Sequence, residues 1–471
     1  MIRKNKDKVK DIDLTSADSI ERSISDFLNC EYKDYVFYIL ANRCLPSVCD
    51  GLKTGARKIL HAAINGGLKT GERKKFLNLS GDTMNLSLFA HGDSSLNGTI
   101  VTLSQEFKFN LNPLFVDGQN GSLRNPKGIS SARYLYVKQS DFLDIWKTDI
   151  DITERIFDEG QYVEPVTYLP IIPVVVCNSQ SGIGVGYKFY TISYNPLDII
   201  DACSQVLKSR KKENRLDGFK IKPYIRGYDN SLWKQDGDKW VSNGAFTVDL
   251  KHDSVDITML PYDMDFDGFE KLLNKLVEQE EIKEWRNFSK DEEIRYQIIY
   301  PKKALGKIKQ VDAHIVNTFK LKKTAPDDLL WVIDENKKIR HFEKVQDLVE
   351  YFTEWRLTKY DDRKSRLVAI LEERLKKNSD LVKFIELVCS GKLKIRNRSK
   401  KDIQNDMDTH DLPMTLISTP MSKVTVEERD ELLKENKRIK DELEYIKKAT
   451  TKQMYLADLK TLRKKLETVF V

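Results

Sequence analysis

The spacing of hydrophobic residues changes character along the chain. From about 31 to 145, helical segments alternate with Gly-rich loops. From about 150 to 340, short runs with strand character appear: PVVVCN, GAFTVDL, VDITML, YQIIY and LLWVID. Helical stretches such as GFEKLLNKLVEQEEIKEW interrupt them. Beyond about 341 the helical period dominates. Val345, Leu348, Phe352 and Trp355 mark one face, and Leu367, Leu371 and Leu375 continue it. A basic break, SGKLKIRNRSKK (390–401), leads into a polar connection with Pro413 and Pro420. Thr425 and Glu428 then stand at capping-box spacing. Leu432, Asn436, Ile439, Leu443 and Ile446 follow at heptad positions, and Leu459, Leu462, Leu466 and Val469 resume the stripe. The pattern predicts an α+β multidomain protein. Residues 1–30 form a charged arm, 31–150 a first domain and 151–340 an α/β domain. Residues 341–471 form a helical coiled-coil arm with a knob near 385–425.

Length supports several domains, because 471 residues exceed what one core usually serves. Apolar residues make up 40% and charged ones 32%, as in a protein with a real core and a solvated surface. The net charge of +7 is too small for a uniformly basic, histone-like protein, but it leaves room for a local basic groove. The six cysteines show no CxxC pair and no zinc spacing, so reduced thiols and a cytoplasmic location are expected. The start, MIRKNKDKVKDIDL, lacks the apolar segment of a signal peptide. The longest apolar run, Ile171 to Cys177, is too short to span a bilayer, so no membrane association is expected.

Five stretches bear on chemistry. In SGIGVG (181–186) the next helix signal, Asn195-Pro196, lies too far downstream for a phosphate cradle; a tight turn with Ile183 exposed at its tip is expected. YDMDFDGF alternates Asp263, Asp265 and Asp267, but Asn274 stands where a calcium loop needs Glu. An acidic turn capping a helix fits better, and no metal site is expected in this chain. HGDS predicts a helix start capped by Asp93 or Ser94. Its apolar face is Leu96, Ile100, Leu103 and Phe107; Ser95, Asn97 and Thr102 make a small polar face able to lie on DNA. DGLKTGARKILHA places Lys53, Arg57 and His61 at i, i+4 and i+8, a basic stripe opposite Leu52, Ala56, Ile59, Leu60 and Ala63. GLKTGERKK soon adds four cations. GISSARYLYV reads as a Gly turn and a strand in which Arg133 precedes Tyr134, flanked by Arg124, Lys127 and Lys138. No Walker A motif is found.

In this order NRCLPSVCDGLKTGARKIL, HGDSSLNGTIVTLSQEF, NPLFVDGQNGS, SSARYLYV and YLPIIPVVVCNSQSGIGVGY resemble the breakage-reunion part of type IIA DNA topoisomerases, the gyrase A, ParC and topoisomerase II family. The resemblance covers roughly 30 to 471 and is nearest in look to the medium subunit of T4-like phage enzymes. It implies a winged-helix-type DNA-gate domain, a tower and a coiled-coil arm with a dimerising knob. It implies that Tyr134 attacks a DNA phosphodiester to leave a 5′-phosphotyrosyl link, with Arg133, Arg43 and His91 at the phosphate. Lys53, Arg57, Lys58, Ser94, Arg124 and Lys127 become the DNA-binding set, and Ile183 the apolar wedge that bends the duplex. Mg²⁺ and ATP are implied on a partner ATPase/Toprim chain, with double-stranded DNA as substrate and a homodimer as the assembly. Two features depart from the family pattern: LFAHGD lacks the extra aromatic or His of gyrase-like enzymes, and VDGQNGS is a shortened loop. A tyrosine recombinase or rolling-circle nuclease fits less well; a non-catalytic DNA-bridging scaffold is the alternative from another class.

Overall fold

The computed structural model describes residues 23–470, apart from Thr70, Asp238, 291–292, 327–328, 396–397, Met421 and Lys423; residues 1–22 of the expected charged arm lie outside the described residues. From Ile24, capped by Ser23, the chain is helical through Cys44, with π-helical turns at Leu28–Tyr32 and Leu40–Cys44. The helix Thr54–Asn65 follows and buries Ala56, Ile59, Leu60 and Ala63 as its periodicity predicts. Two more helices, Phe76–Leu86 and Asp93–Ser104, pack against it. A small antiparallel sheet completes this part, with strand Tyr136–Gln139 between Lys74–Lys75 and Leu114–Asp117. Val116 and Val137 face each other across it, both buried. Three helices and a small antiparallel sheet make up this part of the chain.

The expected strand PVVVCN is instead a helical turn, Val174–Cys177, entered through Pro173, with all four side chains buried. Burial on every side removes the two-faced environment that gives β-branched residues their strand preference. The strand in GISSARYLYV begins only at Tyr136; Ala132–Tyr134 form a 3₁₀ turn before it. The other expected strands form. Ser254–Met259 and Tyr296–Ile299 lie at the centre of a four-stranded antiparallel sheet, with Ala245–Asp249 and Glu284–Asn287 at its edges.

The apolar cores do not divide at the expected boundary of 150. One core runs from Leu40 through Trp146 into Ile172, Phe189 and Ile199, and on to Phe352 and Leu466. A separate core, in the part of the chain expected to form the tower, holds Val255, Ile257, Phe269, Leu273, Tyr296 and Ile298. A third, small one lies at the tip of the arm around Phe384, Leu393, Ile403, Met407 and Leu412.

The arm is built on one helix, Val345–Cys389, of 45 residues. Val426–Lys448 returns antiparallel along it: Lys447 pairs with Glu372 (2.6 Å), and Arg374 with Glu435 (2.7 Å). Leu371, Ile439 and Ile446 fill the seam with Leu367, Leu375 and Leu443. Thr425 Oγ1 accepts from the Glu428 N–H at 3.2 Å, while the reciprocal capping box forms at Thr450 and Gln453. The last helix, Thr451–Leu466, leaves the arm and lies on the body against Pro196–Lys208. Phe470 is buried there, whereas Val469, expected in the stripe, is exposed.

A charged network fixes the root of the arm. Arg356 is fully buried; its Nε donates to the Pro170 carbonyl at 3.1 Å and its Nη2 pairs with Asp149. Arg363 reaches Asp149 (3.4 Å) and Asp458 (2.7 Å). The Tyr360 hydroxyl donates to Asp458 at 2.7 Å, and the Tyr360 and Tyr455 rings stack at 4.6 Å. Among the described residues, no helix is long and apolar enough to cross a membrane.

Candidate functional site

Arg43 stands on the second π-helical turn, where the Leu45 N–H donates to the Leu40 carbonyl at 3.0 Å. Such turns are rare and recur at functional sites, because the extra residue re-aims a side chain. Here it directs the Arg43 guanidinium to within 3.4 Å of His91 Nε2 and over the Tyr38 ring at 5.7 Å. His91 meets the Phe89 ring edge-on at 5.4 Å. Arg43 and His91 share a groove of about 1030 Å³ with Lys53 and Lys108. Gly55, Gly92, Ser95, Gly98, Thr99 and Thr102 keep its wall low, so a ligand backbone meets little side-chain bulk.

Lys53 forms part of the groove wall. Its Nζ donates to the Ser181 carbonyl at 2.8 Å, and burial pulls its pKa below the usual lysine range. Burial does the same to Lys108. Both cations are therefore poorly hydrated already, and an anion entering the groove has less water to displace.

The glycines of SGIGVG serve packing. The hairpin Gln180–Gly184/Tyr187–Thr191 lies against Cys44, and a Cβ at Gly182 or Gly184 would run into the Cys44 carbonyl or thiol. The Cys44 Sγ donates to the Ile183 carbonyl at 3.2 Å. Ile183 therefore sits on the strand, one residue short of Gly184 and the tight turn at Val185-Gly186, with its side chain 73% exposed. Leaving an Ile in water forgoes about 1.5–3 kcal/mol of burial. The close contact joins this exposed residue to the turn that carries Arg43.

Tyr134 lies at the end of its 3₁₀ turn, 66% exposed, with the Arg133 guanidinium 5.0 Å from its ring centre. It is not among the residues lining the groove. The helix Phe76–Leu86 connects the two places. The Phe76 N–H donates to the Leu135 carbonyl at 3.1 Å, and the segment after the helix, Leu88–Gly92, forms a groove wall. That helix has 11 residues and is about 16 Å long.

Several expected contact residues point elsewhere. Arg57 does not belong to a solvated stripe: it is buried and ion-paired with Asp50, Nε to Oδ2 at 2.7 Å. Burial alone would lower its pKa; the Asp50 carboxylate reverses this and holds it up. His61 is buried too, and burial, with Arg155 and Lys58 nearby, lowers its pKa to about 4. Lys58 lines the groove, but its Nζ is held by the Ser87 carbonyl and Glu164 (2.8 Å). Arg124 is buried, and its guanidinium donates to the carbonyls of Leu260 (2.8 Å), Pro261 (2.8 Å) and Met264 (3.0 Å). It ties the loop to the tower, so it is unavailable to a phosphate. Gly92 caps the helix Asp93–Ser104 in place of Asp93 or Ser94, and the Ser94 N–H already donates to Asp93 Oδ1 at 2.8 Å. Lys127 remains exposed. Asp265 accepts from the Gly268 N–H at 2.8 Å as the N-cap of Phe266–Glu278, and Asp263 pairs with Lys323 at 3.0 Å.

Sequence reasoning missed Asp50. It accepts from Arg57, from the Leu52 N–H at 3.0 Å and from the Tyr168 N–H at 3.1 Å, and so ties the start of the basic helix to a distant strand end. The signal was an acid seven residues before an arginine, at the head of the DGLKTGARKILHA stretch.

The family model for the A subunit of DNA gyrase/topoisomerase IV matches residues 43–463. The mitochondrial DNA topoisomerase 2 of Dictyostelium discoideum is 30% identical over 98% of this chain and 36% of its own length. A DNA topoisomerase 2 of Bombyx mori is 30% identical over 81% of this chain and 25% of its own length. The chain thus spans between about a quarter and about a third of the length of these curated relatives. Among solved structures, the DNA-binding, cleavage and re-ligation domain of Plasmodium falciparum topoisomerase II superposes with a TM-score of 0.82 at 25% identity. That match covers 94% of this chain and 65% of the other.

Proposed function

The chain belongs to the family of DNA gyrase/topoisomerase IV A subunits, and on that premise we propose that it is the DNA-cleaving and religating component of a type IIA DNA topoisomerase. The carrying observation is the exposed Arg133–Tyr134 turn, joined by one helix to a cationic groove that holds Arg43 and His91. In this reading a duplex lies along the groove and reaches Tyr134. The Tyr134 hydroxyl oxygen attacks phosphorus and loses its proton. The P–O3′ bond breaks, and its electron pair leaves with the 3′ oxygen, which takes up a proton. The product is a 5′-phosphotyrosyl ester and a 3′-hydroxyl. One ester replaces another, so religation runs the same exchange in reverse.

Arg133 offers charge-assisted hydrogen bonds to the phosphoryl oxygens as negative charge grows there, a contribution of a few kcal/mol. Arg43, held beside His91, binds a phosphate in the groove with Lys53 beneath it. Ile183 enters a base step, and the bend costs on the order of 1–6 kcal/mol, which the cationic groove offsets. Among the described residues, no group of three or more His, Cys, Asp or Glu is placed to hold a metal ion. Mg²⁺ binding and ATP hydrolysis are proposed for a partner ATPase/Toprim chain, with this chain acting as a cytoplasmic homodimer.

The test combines this chain, that partner, Mg²⁺ and supercoiled plasmid. Tyr134→Phe should still bind DNA but form no SDS-resistant protein–DNA adduct; an adduct that persists would sink the assignment. Relaxation by the purified chain alone would refute the two-chain part.

A further inference from the structure

The loop after the helix Pro196–Lys208 carries KSRKKENR over residues 208–215, and the structure holds it in a defined shape. Arg215 is the staple. Its Nε donates to the Lys211 carbonyl at 2.8 Å and its Nη2 to the Lys212 carbonyl at 2.7 Å. Its guanidinium pairs with Glu350 (3.6 Å) and Glu354 (2.6 Å) on the long helix, and its N–H donates to Glu350 at 3.0 Å. The charge of Arg215 is thus neutralised within the protein, and the loop it clamps is fixed to the root of the arm.

The cations left over face water. Lys208, Arg210, Lys211 and Lys212 are exposed. Lys452, exposed in the first turn of the helix Thr451–Leu466, stands across from them on one concave rim of about 620 Å³. Of the nearby acids, Glu350 and Glu354 pair with Arg215, and Glu213, in the same loop, is exposed, so cations still outnumber free acids here. No residue of the rim lines the Arg43–His91 groove, and none is aromatic. A surface of lysines and arginines on a clamped backbone, without an aromatic stacking platform, suits a phosphate backbone better than bases or an apolar peptide. Five like charges so close repel one another, and a polyanion relieves that repulsion.

We propose that this rim is a second duplex-DNA contact, at the root of the arm and separate from the cleavage groove. It holds the backbone of a second duplex while the groove holds the cut one. The proposal rests on the function given above. The test compares the full chain with a Lys211→Glu/Lys212→Glu/Lys452→Glu variant. Binding of a labelled blunt duplex is measured against salt, and plasmid relaxation and adduct formation are measured with the ATPase/Toprim partner. The wild type should bind duplex in two phases. In the variant the second phase should be lost, and the slope of log affinity against log salt should fall by roughly two to three, about 0.9 per phosphate contact. Adduct formation should persist while relaxation drops. An unchanged salt slope would overturn the proposal. So would an unchanged slope with loss of partner-chain binding, which would make the rim a protein-docking surface. If the wild type forms no adduct, the cleavage reading fails, and the salt slope still decides whether the rim binds DNA.

Discussion

Cys44 occupies the space where Gly182 and Gly184 would carry side chains. A methyl group there has no free volume, and overpacking of this kind costs about 1–3 kcal/mol. Gly184→Ala should therefore displace the hairpin that carries Ile183. DNA cleavage by the reconstituted complex should fall several-fold more than duplex binding, while equal losses of both would show that the contact has no positional role. His61 offers a pH test. Its Nδ1 accepts from the Asn65 amide at 3.1 Å, so a proton on that nitrogen would set donor against donor. Its pKa, held near 4 by burial, lies below the usual 6.5, so the folded state binds fewer protons than the unfolded one. Stability from this group is complete above pH 6.5 and is lost as pH falls through 4, up to about 3 kcal/mol. His61→Gln should lose melting temperature less steeply than the wild type between neutral pH and pH 4.5; parallel slopes would contradict this. His61 and Arg57 show why residue-level reading was incomplete. Their spacing placed them on one helical face, but an acid four residues before the helix starts drew that face inward. Tyr134 and Arg133 were legible because they are adjacent, and their pairing needs no distant partner.

Among the elements, Arg124 determines how the shortened VDGQNGS loop meets the tower. Arg124→Ala would strand the buried carbonyls of Leu260 and Pro261 and the half-buried one of Met264, each loss costing about 1–3 kcal/mol where water cannot enter. Amide exchange around Leu260–Phe266 should rise in that variant, with little change in the helix Thr54–Asn65. Uniform exchange changes across the chain would point to global unfolding instead. A cation in a Gly/Ser loop gives no sign in sequence of whether it faces solvent or carbonyls. The helical elements were more legible. The long helix and the returning helix follow apolar periods that survive in the seam of Leu371, Ile439 and Ile446. The run PVVVCN misled because an unbroken apolar stretch has no period to read, and a fully buried turn of helix presents the same composition as a buried strand.

At the scale of the molecule, separate cores imply separate losses of structure. Asp149 has φ of 56°, a conformation that Asn tolerates, so Asp149→Asn removes charge with little backbone strain. It would leave Arg356 buried beside a neutral amide, at a cost of about 3 kcal/mol. The melting transition of the main body should drop while that of the tower, with its own core, stays in place; a single transition shifting as a unit would contradict the division. The fold class and the arm could be read along the chain because they depend on local period. The continuity of the main core across residue 150 could not, since it arises from contacts between distant segments. The long helix has neither Pro nor Gly between Val345 and Cys389, so it behaves as a stiff lever. From Arg356 to the tip it spans about 50 Å, so a tip displacement of about 10 Å asks for a swing of only about 11° at the root. The angular setting of the far end is therefore decided by the few bonds around Asp149, and small repacking there is geared up into a large movement at the tip.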